Sequence, residues 1–266
     1  VKYMKNIIIT GASGGIGKEV TKLFASNNYF VYALDIKELE DIENVKFFKC
    51  DLTNPKEINK VYEEIKGECM IDAIIHLSGT YYMDSFIEIS EDKLKKVFDI
   101  NFFSVYLVNK HFFPLIKKNG KIIIISSEVA PLDPLPFNGI YSLTKNTLEN
   151  YAISLRQELN LLDIKVVVVR PGAIDTGLID DSIRNVERIE KETILYKENA
   201  SKFMKIVKNN ESKTIKPIKL AKLLLKIENK DKPKLLYKIN LNFKLLLLSM
   251  LPKRVQLAII KKLIKK

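Results

Sequence analysis

Two short segments hold the residues able to do chemistry: Thr10-Gly-Ala-Ser-Gly-Gly-Ile-Gly17 and Tyr141-Ser-Leu-Thr-Lys145. The first has the make-up of a cradle for a pyrophosphate. Glycine lets the backbone turn tightly and approach a phosphate, and a helix opening there offers unpaired N–H donors and the positive end of its dipole. The second sets a phenol and an ammonium four residues apart, side by side on one helix face. A neighbouring ammonium favours the phenolate and is expected to draw the Tyr141 pKa down from about 10. A phenol tuned in this way can serve as general acid or base. Together the segments point to hydride transfer with an accompanying proton.

Tyr-x-x-x-Lys says little alone in a chain so rich in lysine, and three copies occur. Tyr62–Lys66 and Tyr106–Lys110 read as helix-surface pairs. Tyr141 stands apart because a strand ending in Ser126-Ser127 precedes it and a Pro/Gly-rich loop leads into its helix. In the first segment the spacing is G-x-x-x-G-x-G, set by Gly11, Gly15 and Gly17, with Ser13, Gly14 and Ile16 between them. Asp35 ends the following strand, 18 residues beyond Gly17. A carboxylate there accepts hydrogen bonds from ribose hydroxyls and repels a 2′-phosphate. No Lys or Arg lies between Gly11 and Gly17, although Lys37 is close by. NAD is therefore favoured over NADP, which stays open.

These groups need a scaffold. Short β-branched runs at 6–10, 30–34, 46–50, 73–77, 121–126 and 165–169 read as strands. Ile122-Ile-Ile-Ile125 and Val166-Val-Val-Val169 lack polar alternation, as in a parallel sheet covered on both faces. Helical patterns fall between them at 15–27, 54–66, 90–113 and 138–162, with Asn54-Pro55 and Ser90 as start signals. The alternation predicts an α/β fold, a doubly wound parallel sheet with helices on both faces. Residues 176–232 read as helical, followed by a strand at 235–239. The last element, 252–266, places Val255, Ile259, Ile260, Leu263 and Ile264 on one face and most of its lysines on the other. Without repeat or low-complexity linker, 1–266 reads as a single domain.

With Tyr141 in this setting, the chain resembles the classical short-chain dehydrogenase/reductase family. The resemblance spans roughly residues 5–177: the glycine segment, Asp51-Leu-Thr53 after the third strand, Asn101, Ser126-Ser127, Tyr141 with Lys145, and Pro171-Gly-Ala-Ile-Asp-Thr176. It implies a Rossmann-type sheet of about seven strands and transfer between a nicotinamide and an alcohol or carbonyl. Tyr141 would move the proton, and Ser127 would hydrogen-bond the reacting oxygen. Lys145 would hold the nicotinamide ribose and lower the Tyr141 pKa, while Asn101 would support a water leading to Lys145. Asp51 and Leu52 would flank the adenine. Pro171, Gly172, Ile174 and Thr176 would line the nicotinamide, the last two fixing its carboxamide. The cofactor carries the hydride chemistry, leaving positioning and electrostatics to the protein.

One departure stands out. The family usually shows Asn-Asn-Ala-Gly where this chain has His76-Leu77-Ser78-Gly79. Ser78 and Gly79 keep their places against the cofactor, but both asparagine amides are lost. A rival reading is therefore a non-catalytic dinucleotide-binding sensor or a membrane-associated scaffold.

Composition narrows the setting. Cys50 and Cys69 form no metal-spaced cluster or disulfide framework, which suits a reducing cytoplasm, and no metal is expected. No secretory signal is read at the N-terminus. The longest apolar run near the C-terminus, 245–248 extended through 250–251, falls far short of the ~18 residues that span a bilayer. Residues 201–266 carry 19 Lys/Arg against 3 Asp/Glu, a net of +16, while residues 1–200 net −4. Such asymmetry points to an acidic partner surface or to solvated lysine-rich helices. Nucleic acid is not expected, since no basic–aromatic interleaving occurs. The helical extension over 240–266 could pack on the core, pair subunits or touch a membrane surface, with packing favoured. The segment 177–215 sits where the family has its substrate lid. Leu135-Pro-Phe-Asn138 and the basic tail resemble the retinol and hydroxysteroid branch, implying a steroid-, retinoid- or fatty-like substrate. The resemblance also implies a homodimer or homotetramer paired through the fourth and fifth helices.

Overall fold

The β-branched runs form one seven-stranded parallel sheet. The structure is a computed structural model that describes residues 4–176, 178–209 and 213–265, with side chains throughout except at 178–183 and 207–209. The strands are β1 (Lys5–Thr10), β2 (Tyr29–Asp35), β3 (Val45–Lys49), β4 (Ile71–His76), β5 (Ile116–Ile125), β6 (Lys165–Pro171) and β7 (Leu236–Ile239), in the order β3-β2-β1-β4-β5-β6-β7. Ile7 to Thr10 pair with Ala73 to His76, and Lys121 to Ile125 pair with Lys165 to Val169. Order reverses between β1 and β4, and ligands of open α/β sheets bind at the carboxyl ends of the strands beside such a reversal.

Successive side chains of a strand point to opposite faces, so each apolar run feeds two cores. On one face Ile8, Ile74, Ile122, Ile124, Val166 and Val168 pack against α2 (Pro55–Ile65), α4 (Ser104–Phe112) and α5 (Gly139–Asn160). On the other, Ile7, Ile9, Ile75, Ile123, Val167 and Val169 meet α1 (Gly15–Ala25) and α8 (Pro217–Glu228). Full burial of one such side chain stabilises by about 1.5–3 kcal/mol. Asn54 caps α2 through Lys56 N, with Pro55 in its first turn, as its spacing predicts.

The single helix expected over 90–113 differs. It is α3 (Glu91–Phe98), a π turn at Asp99–Phe103, then α4. Ser90 caps its start through Lys93 N. A third apolar cluster lies beyond the sheet edge, where Met83 packs with Val186 and Ile189 of α6 (Leu178–Glu192) and Ala200, Phe203 and Met204 of α7 (Lys197–Asn209). These two helices fill the expected lid segment 177–215, of which 177 and 210–212 lie outside the described residues. The chain ends in α9 (Phe243–Met250) and α10 (Lys253–Ile264). The five apolar residues read on one face of the last helix do not share one environment. Ile264 packs on the third cluster, but Val255 and Leu263 are exposed and Gln256 is the buried residue of α10. Lys266 lies outside the described residues. No described helix is long and apolar enough to cross a membrane.

Candidate active site

The turn after β1 is built for close approach. Gly11 has φ +68°, and a Cβ there would stand 2.6 Å from Ser78 N across the β1–β4 reversal. At Gly17 a Cβ would lie 2.0 Å from Gly11 O, and at Gly15 it would press on Thr176 Cβ at 3.0 Å. The three glycines thus bring Ser78 from the β4 end and Thr176 from the loop after β6 against the turn. Gly14 opens α1 without a side-chain cap, and the first turn holds no acidic residue. Helix N–H groups left unclaimed by a capping side chain suit an anion, so the turn fits the pyrophosphate of a dinucleotide. Ile16 packs its side chain on the α1 core.

Asp35, at the end of β2, accepts from Ser13 N at 3.0 Å and Lys37 N at 3.0 Å, while Ser13 Oγ donates to Lys37 O at 2.7 Å. Its carboxylate therefore stands beside the glycine turn, with lone pairs left for hydroxyl donors. Asp51 accepts from Thr53 N and Oγ1 at 2.9 and 2.8 Å at the surface, whereas the Leu52 side chain is in the core. Gly172 N donates to Ile239 O at 2.9 Å, and Ile174 is buried. The backbone, not the Ile174 side chain, is what this segment offers a ligand.

The proton-transfer group assembles past the end of β5. The Ser127 hydroxyl stands near enough to the Tyr141 phenol to favour its ionised form. Ser126 Oγ instead turns to Lys145 O at 3.5 Å. The second serine of the pair is thus the one that meets the phenol. Lys145 Nζ lies 5.8 Å from the centre of the Tyr141 ring and donates to Ile125 O at 3.2 Å. Gly79 lies beside both groups: a Cβ there would sit at ordinary contact distance, 3.5 Å from Lys145 Nζ and 3.4 Å from Asn101 Oδ1.

The electrostatics correct one expectation. Burial pushes the Tyr141 phenol up to about 12; the Ser127 hydroxyl opposes this, and Tyr81 and Glu128 add to it. Lys145 is not among the causes. Burial pulls Lys145 itself down to about 8, opposed by the Glu149 carboxylate. An ammonium drawn toward the Ile125 carbonyl and partly stripped of water does not lower the phenol in this geometry.

Asn101 is fully buried in the π turn. Its Oδ1 accepts from Thr80 N at 2.7 Å, and its Nδ2 donates to Thr80 O and Thr144 Oγ1, both at 3.0 Å. It ties the loop after β4 to α5, holding Gly79 beside Lys145. A π turn frequently marks a functional site because it redirects one side chain out of the helical ladder.

His76 replaces the expected amide bracing in its own way. Its Nε2 meets Asn109 Oδ1 of α4 at 2.8 Å, and Asn109 Nδ2 donates to Tyr151 Oη at 3.2 Å. The other ring nitrogen, Nδ1, is buried without a hydrogen-bond partner. Burial drops the His76 pKa to about 4, which the Asn109 bond opposes.

Other contributors were not singled out from sequence. Glu149 accepts from Arg170 Nε and Nη2 at 2.7 and 2.5 Å. This bidentate pair fixes an anion one turn from Lys145; the Lys145–Glu149 spacing was its available signal. Tyr81 sets its ring edge-on to Tyr141 at 4.7 Å, and Glu128, its pKa raised by burial, follows Ser127. Neither has a spacing that would announce it.

A doubly wound sheet with this turn at its reversal defines a dinucleotide-binding oxidoreductase. Comparison with known proteins narrows the class. A profile of the short chain dehydrogenases matches residues 5–187. The 3-ketodihydrosphingosine reductase of Bacteroides thetaiotaomicron is 30% identical over 230 residues, 85% of this chain and 84% of that protein. The NADPH-dependent 1-acyldihydroxyacetone phosphate reductase of Saccharomyces cerevisiae is 26% identical over 188 residues, 66% of this chain and 63% of that protein. Among solved structures, a short chain dehydrogenase family protein of Francisella tularensis superposes with a TM-score of 0.74 at 27% identity, covering 88% of this chain and 96% of that one. The chain belongs to the short-chain dehydrogenase family, NAD(P)-dependent oxidoreductases that act on alcohol and carbonyl groups.

Proposed function

We propose that the protein reduces a ketone on a long-chain, lipid-like substrate, with NADH favoured over NADPH as hydride source. The observation that carries the reading is the meeting of Ser127, Tyr141 and Lys145 past the end of β5. A phenol with a pKa of about 12 is protonated at neutral pH and so stands ready as an acid, which suits carbonyl reduction. When bound, the reduced nicotinamide supplies the hydride. Ser127 Oγ and Tyr141 Oη would both donate to the carbonyl oxygen, and the Tyr141 proton would pass to that oxygen as hydride reaches the carbon. Lys145 would hold ribose hydroxyls. Asn101 would keep Gly79 and Thr80 in place beneath it.

Support for a lipid-like substrate comes from the walls. Tyr81 lies against Tyr141, and Leu135 and Phe137 pack with Met83 and Phe203. The two named relatives take, by their names, long-chain or acylated ketones. For the cofactor, the Asp35 carboxylate beside Ser13 would repel a 2′-phosphate. We further propose a homodimer paired through α4 and α5, whose outer faces expose Tyr106, Leu143 and Ile153.

Tyr141→Phe tests the chemistry. It should cut turnover by about 10²–10⁴-fold, the worth of a positioned acid, while leaving the dissociation constant for NADH within about twofold. Undiminished turnover would remove Tyr141 from its role. A panel running from short sugar ketones to keto-lipids, followed at the nicotinamide absorbance, tests the substrate class; equal rates across it would sink the lipid reading.

A further inference from the structure

Helix α9 is apolar on nearly every side, Phe-Lys-Leu-Leu-Leu-Leu-Ser-Met, yet none of its residues is buried. A helix of that composition ordinarily sits inside a core. Its inner side accounts for part of the pattern: Leu245 and Leu248 line a cavity of about 50 Å³ against Pro134 and Leu135, beside Ser142 of α5. The outer side is uncovered, with Phe243, Leu246, Leu247 and Met250 exposed at 68, 41, 48 and 74%. In the next helix, α10, Leu257 and Leu263 are likewise exposed, at 67 and 55%.

Charge identifies what covers it. No Asp or Glu follows Asp231, whereas α10 and the residue after it present Lys253, Arg254, Lys261, Lys262 and Lys265 at the surface. A second copy laid on this face would bring the same cations against each other. An anionic bilayer satisfies both features, since lipid headgroups neutralise the lysines while the acyl boundary receives the leucines. Nucleic acid would answer the charge but leave the apolar surface wet.

We infer that α9 and α10 form a docking surface for an anionic phospholipid membrane. The surface adjoins the loop that runs from Ser127 to Tyr141, so a docked protein would meet an acyl-chain substrate at the bilayer. That consequence rests on the substrate reading above; the docking itself does not.

Vesicle co-sedimentation of the full chain, without substrate, tests it. Vesicles of phosphatidylcholine with about a third phosphatidylglycerol should bind the protein at least tenfold more tightly than phosphatidylcholine alone, and the binding should fall with added salt. Phe243→Ser, Leu247→Ser and Met250→Ser combined should weaken it about tenfold or more while thermal midpoint, NADH binding and sedimentation mass stay put. Lys253→Glu with Lys261→Glu should abolish the preference for anionic vesicles. Absence of binding, binding equal in all variants, or a change of sedimentation mass with no vesicle binding would each overturn the inference. None of those results would touch the catalytic reading, which Tyr141→Phe tests alone.

Discussion

Tyr141 and Lys145 share a helix face, yet burial drives their pKa values apart, to about 12 and about 8. The group that loses its proton first as pH rises is therefore Lys145. For ketone reduction, kcat/KM should hold through neutrality and fall above about pH 8, because a neutral amine loses the charge with which Lys145 would hold the ribose hydroxyls; in Lys145→Arg that limb should move upward at a lower absolute rate. A limb unmoved by the arginine would assign it to another group. His76 gives a stability counterpart. Its folded pKa is near 4 against an ordinary 6.5, so between those values the unfolded chain binds a proton that the native ring refuses. The stability it confers is complete above pH 6.5 and is lost as pH falls through 4, about 3 kcal/mol in all. Urea unfolding should show the wild type losing about 2 kcal/mol more than His76→Asn between pH 7 and 4.5; parallel losses would deny His76 this part. The substitution of histidine for an amide was legible in the sequence, but its partner was not. Asn109 lies 33 residues away on another element, and only folding brings them within 2.8 Å.

At the scale of elements, the strands were legible because parallel strands buried on both faces must be apolar without alternation, as Ile122–Ile125 and Val166–Val169 are. The glycine turn was legible because φ +68° at Gly11 and the 2.0 Å approach at Gly17 leave no room for another residue. The π turn was hidden, since a helical pattern runs on across 90–113 and one inserted residue barely disturbs it. What maintains the turn is tertiary: Asn101 satisfies both backbone groups of Thr80 and the Thr144 hydroxyl. Asn101→Ala should then destabilise by about 2–3 kcal/mol, the loss of buried hydrogen bonds whose partners stay buried. It should also lower turnover by freeing Gly79 from Lys145. Asn101→Asp should not rescue it, because a carboxylate accepts from Thr80 N but cannot donate to Thr80 O or Thr144. Thermal unfolding of both variants beside their turnover would check this, and an Asn101→Asp protein of wild-type activity would contradict it.

Across the whole molecule, α5 would link chemistry to the proposed pairing. Its inner face carries Tyr141 and Lys145, while Leu143 and Ile153 stand 46% and 51% exposed on its outside. Tyr106 of α4 is exposed beside them, its ring packed edge-on against Tyr151 of α5. An apolar face shared by two helices suits an isologous pair, in which each patch meets its own copy about a two-fold axis. Sedimentation equilibrium should therefore give a multiple of 30.6 kDa for the wild type. Ile153→Glu would bury two carboxylates against each other across the axis, and about tenfold or greater weakening of association should follow. If pairing supports the outer side of the helix that bears the phenol, the dissociated variant should also melt earlier and turn over more slowly. Wild-type protein that sediments at 30.6 kDa at all concentrations would show that α4 and α5 carry their apolar faces for some purpose other than self-association.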